Sequence, residues 1–156
     1  MKINYENSTL NRYNRMYDQL SELLNTSANP FTRMSTIAAL LHHKMKGFFW
    51  TGFYFLQDGE LIVGPYQGPV ACLKLKKDTG VCWGAINQGM SLVVDDVHKF
   101  PGHIACSSLT NSEIVVPVKN KEGEIVAVLD VDSREFGRFD NEDRQGLERI
   151  AQLIYN

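Results

Sequence analysis

Apolar residues recur at two different periods along the chain, and the change of period separates helices from strands. Leu10, Tyr13, Tyr17, Leu20 and Leu24 are spaced by three and four, the face of a first amphipathic helix. Asn29-Pro30 then places a capping residue before a proline suited to the first helical position. Phe31, Met34, Ala38, Leu41 and Met45 form the stripe of this second helix, and Gly47 ends it. From Phe48 to Leu56 the pattern becomes a dense aromatic run of strand character. Asp58-Gly59 then reads as a hairpin turn into a second strand, Glu60 to Val63. Gly64 to Pro69 reads as a loop, Val81 to Gln88 as a short helix entered from Thr79-Gly80, and Ser91 to Val94 as a short strand. Glu113 to Val118 and Ile125 to Val131 form a second hairpin about Glu122-Gly123. Asp140 caps a last helix whose face carries Leu147, Ile150, Ala151 and Ile154.

The order helix, helix, hairpin, irregular middle, hairpin, helix predicts an α+β domain: an antiparallel sheet with the terminal helices packed on one face. The irregular stretch from Gly64 to Asn111 is long for a compact domain, and long ordered excursions usually carry function.

Composition narrows the function. With 156 residues, 44% of them hydrophobic, the chain is expected to form one domain with a proper core. A net charge of -2 gives no basic surface for nucleic acid, and the longest apolar stretches fall short of a membrane span. Met1 to Asn7 lacks the apolar core of a signal peptide, so a cytoplasmic location with reduced thiols is expected.

All three cysteines, Cys72, Cys82 and Cys106, lie inside the irregular middle. Three readings are open: buried small hydrophobes, which is the commonest fate of a free cysteine, metal ligands, or redox chemistry. His103-x-x-Cys106, with Asp95, Asp96 and His98 upstream, offers metal-ligand types. There is no Cys-x-x-Cys pair, however, and nine residues between Cys72 and Cys82 fit no common zinc site, so no metal is expected. Phosphate-loop and dinucleotide signatures are absent, and no cofactor is expected. His103, if protonated, could lower the pKa of Cys106, but the segment alone favours a buried loop cysteine beside a surface histidine.

Two further sets of residues stand out. Asp130 and Asp132 alternate with apolar residues and share one face of their strand, and the hairpin brings Glu113 near them. Three crowded carboxyls either hold a proton or a cation, or mark a solvated strand edge; the pattern favours neither. Trp50 and Tyr54 share a face of the aromatic strand, as core or as a pocket wall.

Several segments together resemble the free methionine-(R)-sulfoxide reductases, which are single GAF domains. They are Trp50-Thr51-Gly52-Phe53-Tyr54, Gly64 to Cys72, Gly80-Val81-Cys82, His103-Ile104-Ala105-Cys106, Asn111 to Pro117 and Leu129 to Ser133. The likeness covers nearly the whole chain, and GAF domains that bind cyclic nucleotides or chromophores lack this three-cysteine pattern. Trp83 stands where the family pattern has glycine, and Ser107 where it has aspartate. The resemblance implies a single GAF-like domain over residues 1–156 that reduces free L-methionine-(R)-S-oxide to methionine. It implies Cys106 as nucleophile, Cys72 as resolving thiol and Cys82 as an auxiliary thiol. Glu113, Asp130 and Asp132 become the substrate-binding and acid groups, and Trp50, with Tyr54, the pocket wall. A thioredoxin-like dithiol becomes the reductant; the resemblance leaves the oligomeric state open, with a homodimer allowed. The chemistry is coherent, because a sulfoxide oxygen leaves only when protonated and a crowded carboxyl can hold that proton near neutral pH. The rivals are a GAF sensor of a small ligand and a thiol redox sensor, neither of which turns substrate over.

Overall fold

The computed structural model describes residues 8–103 and 106–156. Helix α1 (Thr9–Leu23) starts at Ser8, whose side chain accepts from the Asn11 amide, and ends in a short 3-10 turn, Leu24–Thr26. Helix α2 (Pro30–Lys44) starts as its sequence predicts: the Asn29 side chain accepts from the amides of Phe31 and Thr32, and Pro30 occupies the first turn. Its buried stripe is Arg33, Met34, Ile37, Ala38 and Leu41. Phe31, expected in that stripe, points outward and meets the Phe55 ring at 4.6 Å. The Arg33 guanidinium is buried instead, because it donates to the carbonyls of Leu24, Ser27, Leu153 and Asn156 and so ties α2 to the end of the chain.

Strands β1 (Trp50–Gln57) and β2 (Glu60–Gln67) form the first hairpin. Asp58 and Gly59 both take positive φ, at 52° and 76°, which is the conformation of a tight hairpin turn. The strand β2 runs four residues past its predicted end, through the glycine and proline read as a loop. Gly64 is there because a Cβ would lie 2.4 Å from the Phe55 ring, and the pairing irregularity between Gly52 and Tyr54 accommodates the extension. The chain continues through β3 (Lys74–Leu75), α3 (Gly80–Gln88), β4 (Leu92–Val94), β5 (Ser112–Lys119), β6 (Ile125–Ser133) and α4 (Asn141–Ala151).

The six strands form one antiparallel sheet in the order β3-β2-β1-β6-β5-β4. One face carries Phe53, Ile114, Val116, Leu129 and Val131 and packs under α1, α2 and α4, the predicted helical layer. The other face carries Trp50, Tyr54, Val115 and Val128 and packs under α3 through Val81, Cys82, Trp83 and Ala85. Trp83 is buried there, and its indole N–H donates to the Leu75 carbonyl at 3.4 Å. Among the described residues no helix is long and apolar enough to cross a membrane.

Candidate active site

The site lies on the α3 face of the sheet. Antiparallel register sets Glu113 opposite Asp132 and Val115 opposite Asp130, and β1 sets Trp50 opposite Asp132 and Gly52 opposite Asp130. Side chains alternate along each strand, so Glu113, Asp130 and Asp132 all point to the same side. They do not form a solvated edge. β6 is an interior strand, Glu113 and Asp130 are buried, and Asp132 is half-buried.

Cys82 descends onto this cluster from the first turn of α3. Its sulfur lies within 4.8 Å of oxygens of Glu113 and Asp130, and its thiol donates to Asp130. Burial, and then the charges of Asp130 and Glu113, push the Cys82 thiol well above its ordinary pKa, so it stays protonated. Glu113 and Asp130 are likewise raised well above the carboxylate range, first by burial and then by repulsion within the cluster. Asp132 is raised to about 6, because burial outweighs hydrogen bonds from Glu113, Asp130 and the Thr110 hydroxyl. The cluster therefore holds protons at neutral pH. One oxygen each of Asp130 and Asp132 is buried with no partner among the described residues. Such groups are costly unless a ligand meets them.

Cys72 and Cys106 are joined by a disulfide, with Cα atoms 5.6 Å apart across a sequence separation of 34. The half-buried Cys72 and the exposed Cys106 bridge the mouth of a cavity of about 190 Å³. Cys82 and the three acids line its inner part, with Tyr54, His103 and the turn at Thr79-Gly80 around them. The cavity is smaller than the roughly 300–1,000 Å³ of sites for drug-sized ligands and suits a single amino acid. A larger groove of about 650 Å³ runs past Lys119, Lys121 and Arg144, but no cysteine lines it, and its Arg144 is committed to Glu148 and Asn141.

The aromatic residues divide. Tyr54 lines the cavity and its hydroxyl donates to the Cys72 carbonyl at 3.4 Å; burial first, and the nearby acids next, keep that hydroxyl protonated. Trp50 is not a lining residue. It stacks on Tyr54 at 5.7 Å and on Tyr66 at 5.2 Å, and its indole N–H is buried with no partner among the described residues. Gly52 makes the stack fit, since a Cβ there would lie 2.7 Å from the Trp50 ring.

His103 lines the cavity, but burial first and then His98 lower its pKa, so at neutral pH it supplies no positive field for Cys106. Of the upstream metal-ligand types, His98 contacts Asn111 at 3.0 Å, and Asp96 accepts from the His98 amide. Ser107 accepts from the Leu109 amide in a local turn. Ile104 and Ala105, part of the motif around Cys106, lie outside the described residues.

A GAF-domain family model matches residues 34–155. "GAF domain-containing protein A" of Dictyostelium discoideum is 43% identical over 146 residues, 93% of this chain and 91% of that protein. The free methionine-R-sulfoxide reductase of Escherichia coli is 45% identical over 121 residues, 77% of this chain and 73% of the enzyme. The crystal structure of free methionine-R-sulfoxide reductase from Neisseria meningitidis in complex with its substrate superposes with a TM-score of 0.89. It is 36% identical and covers 94% of this chain and 88% of its own. The sheet, the buried acids and the bridged cysteines therefore sit in a chain that belongs to the GAF-domain family and, within it, to the free methionine-R-sulfoxide reductases.

Proposed function

We propose that this protein reduces free methionine-(R)-sulfoxide to methionine, with Cys106 as the nucleophile and Cys72 as the resolving thiol. The observation that carries the assignment is the bridge between these cysteines at the mouth of a cavity floored by proton-holding carboxyls. In the reduced protein the Cys106 thiolate attacks the sulfoxide sulfur while a carboxyl of the cluster gives its proton to the departing oxygen. Oxygen passes to Cys106 as a sulfenic acid, and methionine leaves. The Cys72 thiolate then attacks the Cys106 sulfur, water departs, and the disulfide forms. A separation of 5.6 Å between the Cα atoms suits this closure. An external dithiol, of thioredoxin type, takes up the oxidising equivalents and returns both thiols.

Selectivity for the free amino acid follows from the acids. An ammonium group complements Glu113, Asp130 and Asp132, whereas a peptide-bound residue leaves them desolvated and unpaired. Trp50 acts from behind Tyr54 by fixing its ring. Cys82, held protonated against Asp130, serves the acid cluster as a hydrogen-bond donor.

The test is a turnover assay with a dithiol and both sulfoxide epimers, free and within a peptide. Methionine should appear catalytically from the free (R) epimer alone. Binding without methionine formation would make the protein a ligand sensor, and oxidation of the cysteines by peroxide alone would make it a redox sensor.

A further inference from the structure

The bridge between Cys72 and Cys106 has an outward side. Beside it, three large apolar side chains are open to solvent: Val70 at 86% exposure, Leu73 at 74% and Leu109 at 47%. None belongs to either core cluster or packs against one. With about 3.8 Å between successive Cα atoms, all three lie within roughly 11 Å of a bridged cysteine. Single exposed apolar residues are ordinary, but here three lie within three positions of the two halves of one reactive bond. Lysines edge them. Lys74 pairs with Glu60 at 3.0 Å, while among the described residues no carboxylate forms an ion pair with Lys76 or Lys77.

We propose that Val70, Leu73 and Leu109, edged by Lys76 and Lys77, form the docking surface for a protein dithiol. Its reactive cysteine would sit in an apolar contact face with carboxylates at the rim. This rests on the reading that the bridge is formed and reduced in each turnover.

Three arguments select this occupant. A cavity of about 190 Å³ admits an amino acid but not a folded protein, so a protein thiol reaches the bond from outside, where Cys106 is exposed. Three apolar side chains are too few for the core of a permanent interface and suit the weak redox encounters that bury less than about 1,200 Å², as a partner released after each reduction requires. The lysines steer an acidic partner and raise its encounter rate.

The step balances. The partner's thiolate attacks the Cys106 sulfur, the disulfide breaks, and Cys72 leaves with the electron pair. The partner's second thiolate attacks the partner's own sulfur in the mixed disulfide and releases Cys106. The partner ends as a disulfide, and its two protons restore the two thiols.

The test compares reductants on the oxidised full chain: bacterial thioredoxin held reduced by its reductase, dithiothreitol, and glutathione. The variants are Val70→Glu with Leu73→Glu, and Lys77→Glu, all at exposed positions outside the cavity. In the double variant the rate of disulfide reduction by thioredoxin should fall at least about tenfold, while the rates with the small thiols change less than about twofold. Lys77→Glu should slow thioredoxin more at low salt than at high salt. Equal thioredoxin rates in the wild type and the double variant would overturn the docking surface. So would a wild type reduced no faster by thioredoxin than by glutathione. Absence of methionine formation with dithiothreitol would instead overturn the proposed function, and the two failures are thereby told apart.

Discussion

Glu113 and Asp132 face each other across β5 and β6 with their carboxyl groups hydrogen-bonded, in the interior of the sheet. Two acids so close cannot both ionise cheaply, and the pair acts as a proton reservoir. Glu113→Gln and Asp132→Asn should each lower turnover of the free substrate by at least about a hundredfold, the scale of losing a general acid. Cys106 should remain alkylatable in both variants, as a mass measurement after iodoacetamide would record. N-formyl and N-acetyl methionine sulfoxide should both be poor substrates; catalytic efficiencies equal to that of the free amino acid would remove the ammonium from the argument.

The same cluster sets how stability depends on pH. Folding raises the pKa of Asp132 to about 6 and raises those of Glu113 and Asp130 well above the carboxylate range, so the folded chain binds more protons than the unfolded chain. Stability is then fullest below the ordinary carboxylate range and declines as pH rises through about 6. Asp130→Asn should flatten that decline, seen as a smaller drop in Tm between acidic and neutral buffer. A Tm of the wild type that rises over that interval would contradict the sign.

The two bridged cysteines should fail in different ways. Cys106→Ser should form no methionine, because a serine hydroxyl is a far weaker nucleophile than a thiolate. Cys72→Ser should release about one methionine per protein in a single turnover and then stall as a sulfenic acid, which dimedone would trap. No methionine from Cys72→Ser even in a single turnover would exchange or remove the assigned roles.

Away from the site, α1 and α4 meet at a contact with no spare room. A Cβ on Gly146 would lie 2.2 Å from the Tyr13 ring, whose hydroxyl donates to Asp143 at 2.7 Å inside the α4 capping box. Gly146→Ala should cost about 1–3 kcal/mol by overpacking despite its better helix propensity. Chemical denaturation measures the loss, and activity at low temperature should persist.

Much of this was legible in the chain before its structure. Alternation placed Asp130 and Asp132 on one strand face, and the hairpin carried Glu113 to them, because both are local consequences of strand geometry. Asn29-Pro30 and Asp140 marked their helix starts by capping chemistry. The approach of Cys82 to the acids was not legible. It depends on how α3 lies across the sheet, a relation between segments more than 30 residues apart. The burial of Arg33 was not legible either, because its partners are backbone carbonyls, which leave no trace in residue identity. The extension of β2 was hidden by Gly64 and Pro65, whose turn preference yields here to the space needed by Phe55.

The bridge from Cys72 to Cys106 also changes the chain as a polymer. Tying two points 34 residues apart removes many of the shapes the unfolded chain could take, a constraint of about 4 kcal/mol in the chain-entropy model. On the proposed mechanism each turnover would move the molecule between an open string and a looped one. When oxidant outruns reductant, the protein accumulates in the looped form, which is the harder to melt. Idle molecules awaiting electrons would then outlast working ones under heat, and a calorimetric scan of the oxidised and reduced proteins would display that difference as two separate endotherms.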